Sequence, residues 1–230
     1  MRRTVFLAAT CLLLASCARQ AEPIVQAPPP VVVAAPAPMP LPPAGATPNL
    51  VLPMRLADGR FDTPVRATSG PGTLWHLRAA LNVAALGCRD AQEAQTVAQY
   101  NQLLATKKAA LADADARLRG EYKARFGAGW QDAHDDAMTR VYNFFALPPV
   151  HREFCAAARI ALAEAVATDP KALAAAAPAL LTRIETPFQS FFAAYADYRQ
   201  QLAQRQGPSA PQLTVASAVL TGSANVISPY

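Results

Sequence analysis

From Leu74 onward the apolar residues of this chain recur at helical spacing. Leu74, Leu77, Leu81, Ala84 and Cys88 lie three, four, three and four positions apart, which is one face of a helix. Ser69-Gly70-Pro71-Gly72 breaks the chain before it, Thr73 is placed to cap it, and Gly87 weakens its end. A longer helix is predicted from Asp90, with Val97, Leu104, Leu111 and Leu118 seven apart and Tyr100 and Ala114 between them. Lys107 takes the seam position between Leu104 and Leu111, which argues against a strict coiled coil. Gly120 and Gly127-Ala128-Gly129 interrupt helicity, and Trp130 to Leu147 resumes it with Ala137, Val141, Phe144 and Phe145 as core candidates.

Pro148-Pro149 opens the next helix, where proline in the first turn is tolerated. Phe154, Cys155, Ala158, Leu162 and Val166 form its apolar face. Asp169-Pro170 gives another start signal, Pro178 is expected to kink or split the alanine-rich helix that follows, and Thr186-Pro187 repeats the start signal. Phe188, Phe191, Phe192, Tyr195 and Leu202 then make the most strongly amphipathic face in the chain, read as core. The pattern predicts an all-α fold: an antiparallel bundle of five or six helices over residues 73–206. Asn82, Asn101 and Asn143 interrupt apolar stretches and are expected to pair across helices as buried amides.

The flanks lack this periodicity. Residues 54–72 are transitional, with Asp58-Gly59 as a turn signal for a small hairpin. Residues 17–53 are rich in Pro and Ala, as in Ala27-Pro28-Pro29-Pro30 and Leu41-Pro42-Pro43, and read as a flexible polyproline II tether. The 36 residues from Ala18 to Pro53 reach at most about 110 Å at about 3.1 Å each. A proline-rich ligand for a recognition domain is the other reading, and the prolines lack the flanking charges that would favour it. Residues 207–230 carry no charge and are expected to form a flexible tail or one short strand.

Residues 1–16 read as a secretory signal: Arg2 and Arg3, an apolar run from Val5 to Leu14, then Ala15-Ser16. Ten such residues are too few to cross a membrane. Leu14-Ala15-Ser16-Cys17 resembles the lipobox of bacterial lipoproteins. The resemblance implies cleavage before Cys17, acylation of its sulfur and new amino terminus, and attachment to a membrane. Ala18 stands where an aspartate commonly signals inner-membrane retention, so the resemblance implies the outer membrane, facing the periplasm. Lipobox, tether, helical domain and one cysteine pair together resemble uncharacterised Gram-negative envelope lipoproteins. Their build implies a membrane contact through the anchor and an envelope protein or peptidoglycan as partner.

Composition narrows the rest. Without Arg2 and Arg3 the 21 basic side chains become 19 against 16 acidic ones, a formal +3 with no basic cluster, so no nucleic acid partner is implied. Cys11 leaves with the signal and Cys17 is assigned to lipid, leaving Cys88 and Cys155. In an exported chain two remaining cysteines suggest one disulfide, with two separate buried thiols as the alternative.

Candidate chemistry is thin. His134 and Met138 lie four apart with Asp132, Asp135 and Asp136 beside them, donors that suit copper or a harder cation. Acidic residues near a helix start also answer its dipole without any ligand. His151 and Cys155 are four apart like a nucleophile and its base, although that cysteine serves better in a disulfide. His76, between Trp75 and Leu77, reads as a half-buried structural histidine. Serine elbow, phosphate loop, Cys-x-x-Cys and haem-attachment motifs are missing, and no cofactor is implied. The expectation is a membrane-anchored periplasmic lipoprotein whose helical domain is a non-catalytic binding or structural module. The competing expectation is a metal-handling protein or hydrolase with a site built from His134, Met138, Asp135 and its neighbours.

Overall fold

Between Leu74 and Gly87 nearly every residue is apolar or small, and the helix they form is buried over more than one face, with Leu86 on its exposed side. The computed structural model describes residues 38–66 and 68–206. Within them lie six α-helices: α1 (Gly70–Gly87), α2 (Glu93–Thr106), α3 (Lys108–Phe126), α4 (Trp130–Phe145), α5 (His151–Ala167) and α6 (Leu173–Gln206). Helix α1 touches all five others. Leu74, Leu77 and Leu81 fill one side of it as predicted, while Ala79, Ala80 and Ala85 are buried on the others. Small side chains let neighbouring helices close in, and so the centre of the bundle is built on alanine. No β-strand forms among the described residues, and none of their helices is long and apolar enough to cross a membrane.

The aromatic half of the core joins α4, α5 and α6. Phe188 lies 4.3 Å from Phe144 and 5.8 Å from both Phe145 and Phe154, centroid to centroid. Removing each such ring from water contributes roughly 1.5–3 kcal/mol. A turn at Pro148–Val150 redirects the chain so that Phe145 and Phe154 stack. Cys88, just past α1, and Cys155, in α5, are joined by a disulfide with Cα atoms 5.8 Å apart. The predicted pair thus closes a loop across the bundle.

Several expectations need correction. The long helix predicted from Asp90 is two helices, because the chain turns at Lys107, whose φ of −110° and ψ of 14° leave the helical region. Lys107 is buried at 4% exposure, and its ammonium donates to the carbonyl of Thr168, the cap residue of α5. A cation there answers the negative end of α5. Seven-residue spacing survives across the break because both helices face α1. Gly120 interrupts nothing, whereas Gly127, at φ +55°, does break the chain and sends α4 back along α3. Ser69, not Thr73, caps α1: its hydroxyl accepts from the Gly72 amide at 3.1 Å.

Thr186-Pro187 is not a start. Helix α6 runs unbroken through Pro178 and Pro187. Each proline removes a donor and costs about 3 kcal/mol. Leu180, Leu181, Ile184, Phe188, Phe191, Phe192 and Tyr195 are all buried on its inner face, and that outweighs two prolines. Asn101 and Asn143 are exposed, so they pair nothing across helices. Asn82 alone faces a buried partner, the Tyr100 hydroxyl, without closing a well-aligned hydrogen bond.

The tether also ends earlier than Pro53. The chain from Met39 onward belongs to the folded unit, and Ala46, Leu50 and Leu52 pack against its core. The Leu50 amide donates to the Tyr195 hydroxyl at 3.0 Å, which itself donates to the Thr47 carbonyl at 2.6 Å. At Asp58-Gly59 the hairpin is reduced to one bridge, Arg55 to Phe61, with Gly59 at φ +83°. The Gln189 amide then acts as the strand this hairpin lacks, accepting from the Phe61 amide at 2.8 Å and donating to its carbonyl at 2.9 Å. Buried Glu185 accepts from Thr63 at 2.6 Å, Arg60 at 2.9 Å and Gln189 at 2.9 Å. Signal, Cys17 and tail (207–230) lie outside the described residues.

The disulfide should matter to stability. Its partners are 67 residues apart, and a loop of that size is worth about 4 kcal/mol in the chain-entropy model. Cys88→Ala with Cys155→Ala should lower the urea midpoint accordingly, while reducing agent should lower the parent protein's midpoint and leave the double variant unmoved.

Candidate functional site

A cleft of about 360 Å³ lies between α1, α3 and α4 and gathers charged, aromatic and histidine side chains. Helix periodicity builds each wall. On α3, Leu118, Glu121, Tyr122 and Arg125 recur at three- and four-residue steps, so they share a face. Ala137, Arg140 and Val141 do the same on α4, and Gly72 and His76 on α1. The fourth side is the approach to α1, with Pro64, Arg66, Thr68 and Ser69.

That approach is tied down by hydrogen bonds. Arg66 donates to Asp58 at 2.9 Å. The Asp58 carboxyl is held below its ordinary range, first by the Arg60 amide and then by Arg66. Ser69 caps α1 and donates to Glu121 on α3 at 2.6 Å, while Thr68 and Thr73 share a hydrogen bond of 2.8 Å. A methyl group on Gly72 would meet the Ser69 hydroxyl at 3.2 Å and Leu118 at 3.5 Å, so glycine lets α1 approach this closely. Ser69 takes the amides of both Gly72 and Thr73, and Pro71 has none. Positive character at this end therefore comes from side chains more than from helix amides.

His76 forms the floor. It is 5% exposed, and its Nδ1 is enclosed without a hydrogen-bond partner. Burial, and secondarily the nearby His134, push its pKa down to about 4. The imidazole is neutral at pH 7, able to donate from one nitrogen and accept at the other. His134 stands edge-on to Tyr122, 5.2 Å between centroids, with its Nε2 also enclosed and unpartnered. Its Nδ1 lies 3.2 Å from Asp135.

No protein-family model, curated protein or solved structure matches this chain.

Of the residues singled out in the sequence, His134 lies behind this cleft. Met138 is buried in the core and Asp135 is mostly exposed, so the three do not form a cluster around one point. Among the described residues no three His, Cys, Asp or Glu side chains gather as metal ligands. His151 Nδ1 is 3.6 Å from Cys155 Sγ, but that sulfur is spent in the disulfide. Sequence reasoning missed the cleft's arginines and underestimated the burial of His76. The arginines come from three separate segments, and each alone looks like an ordinary surface cation.

The depressed pKa fixes a pH dependence. Neutral His76 imposes no proton cost above its unfolded value of 6.5. As pH falls the unfolded chain takes up the proton first, so stability drops between 6.5 and about 4 and the loss is complete below that. The shift corresponds to about 3 kcal/mol. Burial sets the shift first and His134 adds to it. Chemical denaturation at pH 7 and pH 4 should show His76→Gln losing about 3 kcal/mol less than the parent; equal losses would refute the assignment.

Proposed function

We propose that the protein is a lipid-anchored lipoprotein of the outer membrane, facing the periplasm, whose helical unit is a non-catalytic binding module with the α1–α3–α4 cleft as its binding site. The leader and lipobox from Arg2 to Cys17 support the anchor. One observation carries the binding site: His76, whose Nδ1 is enclosed and unpartnered, lies at the floor of a cleft whose rim holds Arg125 and Arg140, which make no ion pair among the described residues. Buried polar groups ordinarily have partners, and groups left without one concentrate at sites of function. The volume falls in the range of small-molecule pockets, which favours a small ligand over a flat protein face. Ser69 supports no hydrolase, because its hydroxyl is committed to Glu121 and to the cap of α1.

Two experiments test the halves separately. Cys17→Ala should leave the protein unacylated and shift it out of the membrane fraction; unchanged fractionation would remove the anchor. For the cleft, full-length protein in mild detergent would be screened by thermal shift against small molecules of every charge class. At least one should raise the melting temperature, and Ala137→Phe, which plugs the cleft from α4, should abolish that shift. Ala137→Leu serves as the smaller plug if the phenylalanine lowers the unliganded melting temperature. A screen without a hit, or hits indifferent to both plugs, would refute the binding site.

A further inference from the structure

Charge bookkeeping in the cleft identifies the class of ligand. Three guanidiniums line it, those of Arg66, Arg125 and Arg140, together with one carboxylate, Glu121. Asp58 pairs with Arg66 from outside, while Glu121 accepts from Ser69 and pairs with no arginine among the described residues, so the group carries three positive charges less two negative, a net of one. Two of the cleft's three arginines hold no carboxylate among the described residues. Arg60, Arg89, Arg117, Arg119, Arg152, Arg159 and Arg183 each hold a carboxylate. Arg140 has neither ion pair nor hydrogen bond among the described residues, and Arg125 rests only on the ring of Phe126, 5.1 Å from its centroid. Leu118, Val141, Ala137, Tyr122 and Phe126 form the apolar part of the lining, beside the hydroxyls of Thr68 and Ser69. Tyr122 and Phe126 stack at 5.6 Å as one aromatic edge.

We propose that the cleft binds a small organic monoanion, a single carboxylate on an aromatic or cyclic apolar body, with the carboxylate between Arg125 and Arg140 and the body against Leu118, Val141 and Tyr122. This rests on the reading of the cleft as a binding site and adds the ligand's chemistry. Arginine suits the role because its planar fork matches the two oxygens of a carboxylate. Glu121 sets the upper limit of charge, since a dianion would meet its carboxylate with only one positive charge left over. Phosphate monoesters are thereby disfavoured.

The probe is 1-naphthoate, titrated into the full-length protein in mild detergent at pH 8. Its neutral analogue 1-naphthalenemethanol and its dianionic analogue 1-naphthyl phosphate are titrated in parallel. Naphthoate should bind at least about tenfold more tightly than either analogue, a preference matching one charge-assisted hydrogen bond. Arg125→Ala with Arg140→Ala, both exposed positions, should erase that preference while leaving the melting temperature of the free protein in place. Glu121→Gln should act in the opposite direction, tightening naphthoate and bringing the phosphate up to match it. Ala137→Phe should abolish binding of all three. If the alcohol binds as well as naphthoate, or the double arginine variant keeps the preference, the monoanion assignment is wrong. Should ligands of another class bind in a manner that Ala137→Phe blocks, the binding site stands and only its chemistry falls. Absence of any binder removes both.

Discussion

Enclosure of α1 by the five other helices is the constraint on which the rest depends. A helix touched by five others can carry bulk on only part of its circumference, and so Leu74, Leu77 and Leu81 alternate with Ala79, Ala80, Ala84 and Ala85. The alanines contribute little area each, yet they let α2 through α6 close on one axis. Larger side chains would force the ring of helices apart and strain the packing. Enclosure also leaves any polar residue on the inner turns of α1 without water, and His76 is the one that meets this fate.

Much of this was legible in the sequence, and the losses have physical reasons. The all-α bundle and the aromatic face of α6 follow from spacing, because large apolar side chains at three- and four-residue steps leave a strong signal, and the Cys88–Cys155 pairing follows from their being the two cysteines left after Cys11 and Cys17 are assigned. Burial of α1 over more than one face did not show, since alanine is as common on exposed helix faces as on buried ones. The break at Lys107 was hidden by a seven-residue apolar spacing that continues through it. In α6 local rules failed outright: two prolines forecast a break, and the buried face overrode them. The site was least legible. His76 looked half-buried because burial is a tertiary property, and nothing in the linear order brings Arg66, Arg125 and Arg140 together.

The segment before α1 links the two ends of this account. Its proline-rich composition resembles the tether that precedes it, yet from Met39 it packs on α6 through polar contacts that helix α6 supplies. Gln189 completes the backbone of Phe61, Glu185 gathers Thr63 and Arg60, and Tyr195 bridges Thr47 and Leu50. These bonds fix residues 58–63, and the next turn delivers Arg66 and Ser69 to the cleft. A buried carboxylate with three donors is costly to disturb, because removing any one leaves charge without full compensation. Position of the cleft's fourth wall is therefore set from α6, on elements that never touch it.

Stability is distributed unevenly as a result. Aromatic packing, the disulfide and the α6 contacts lie away from the cleft, whereas the cleft keeps the His76 Nδ1 enclosed and unpartnered and, among the described residues, two arginines without carboxylates. Each enclosed polar atom left unbonded costs about 1–3 kcal/mol. Replacing His76 with leucine would suit an alanine-rich core better on packing grounds alone. A ligand that occupies the cleft would give Arg125 and Arg140 the counter-charge they lack in the free protein.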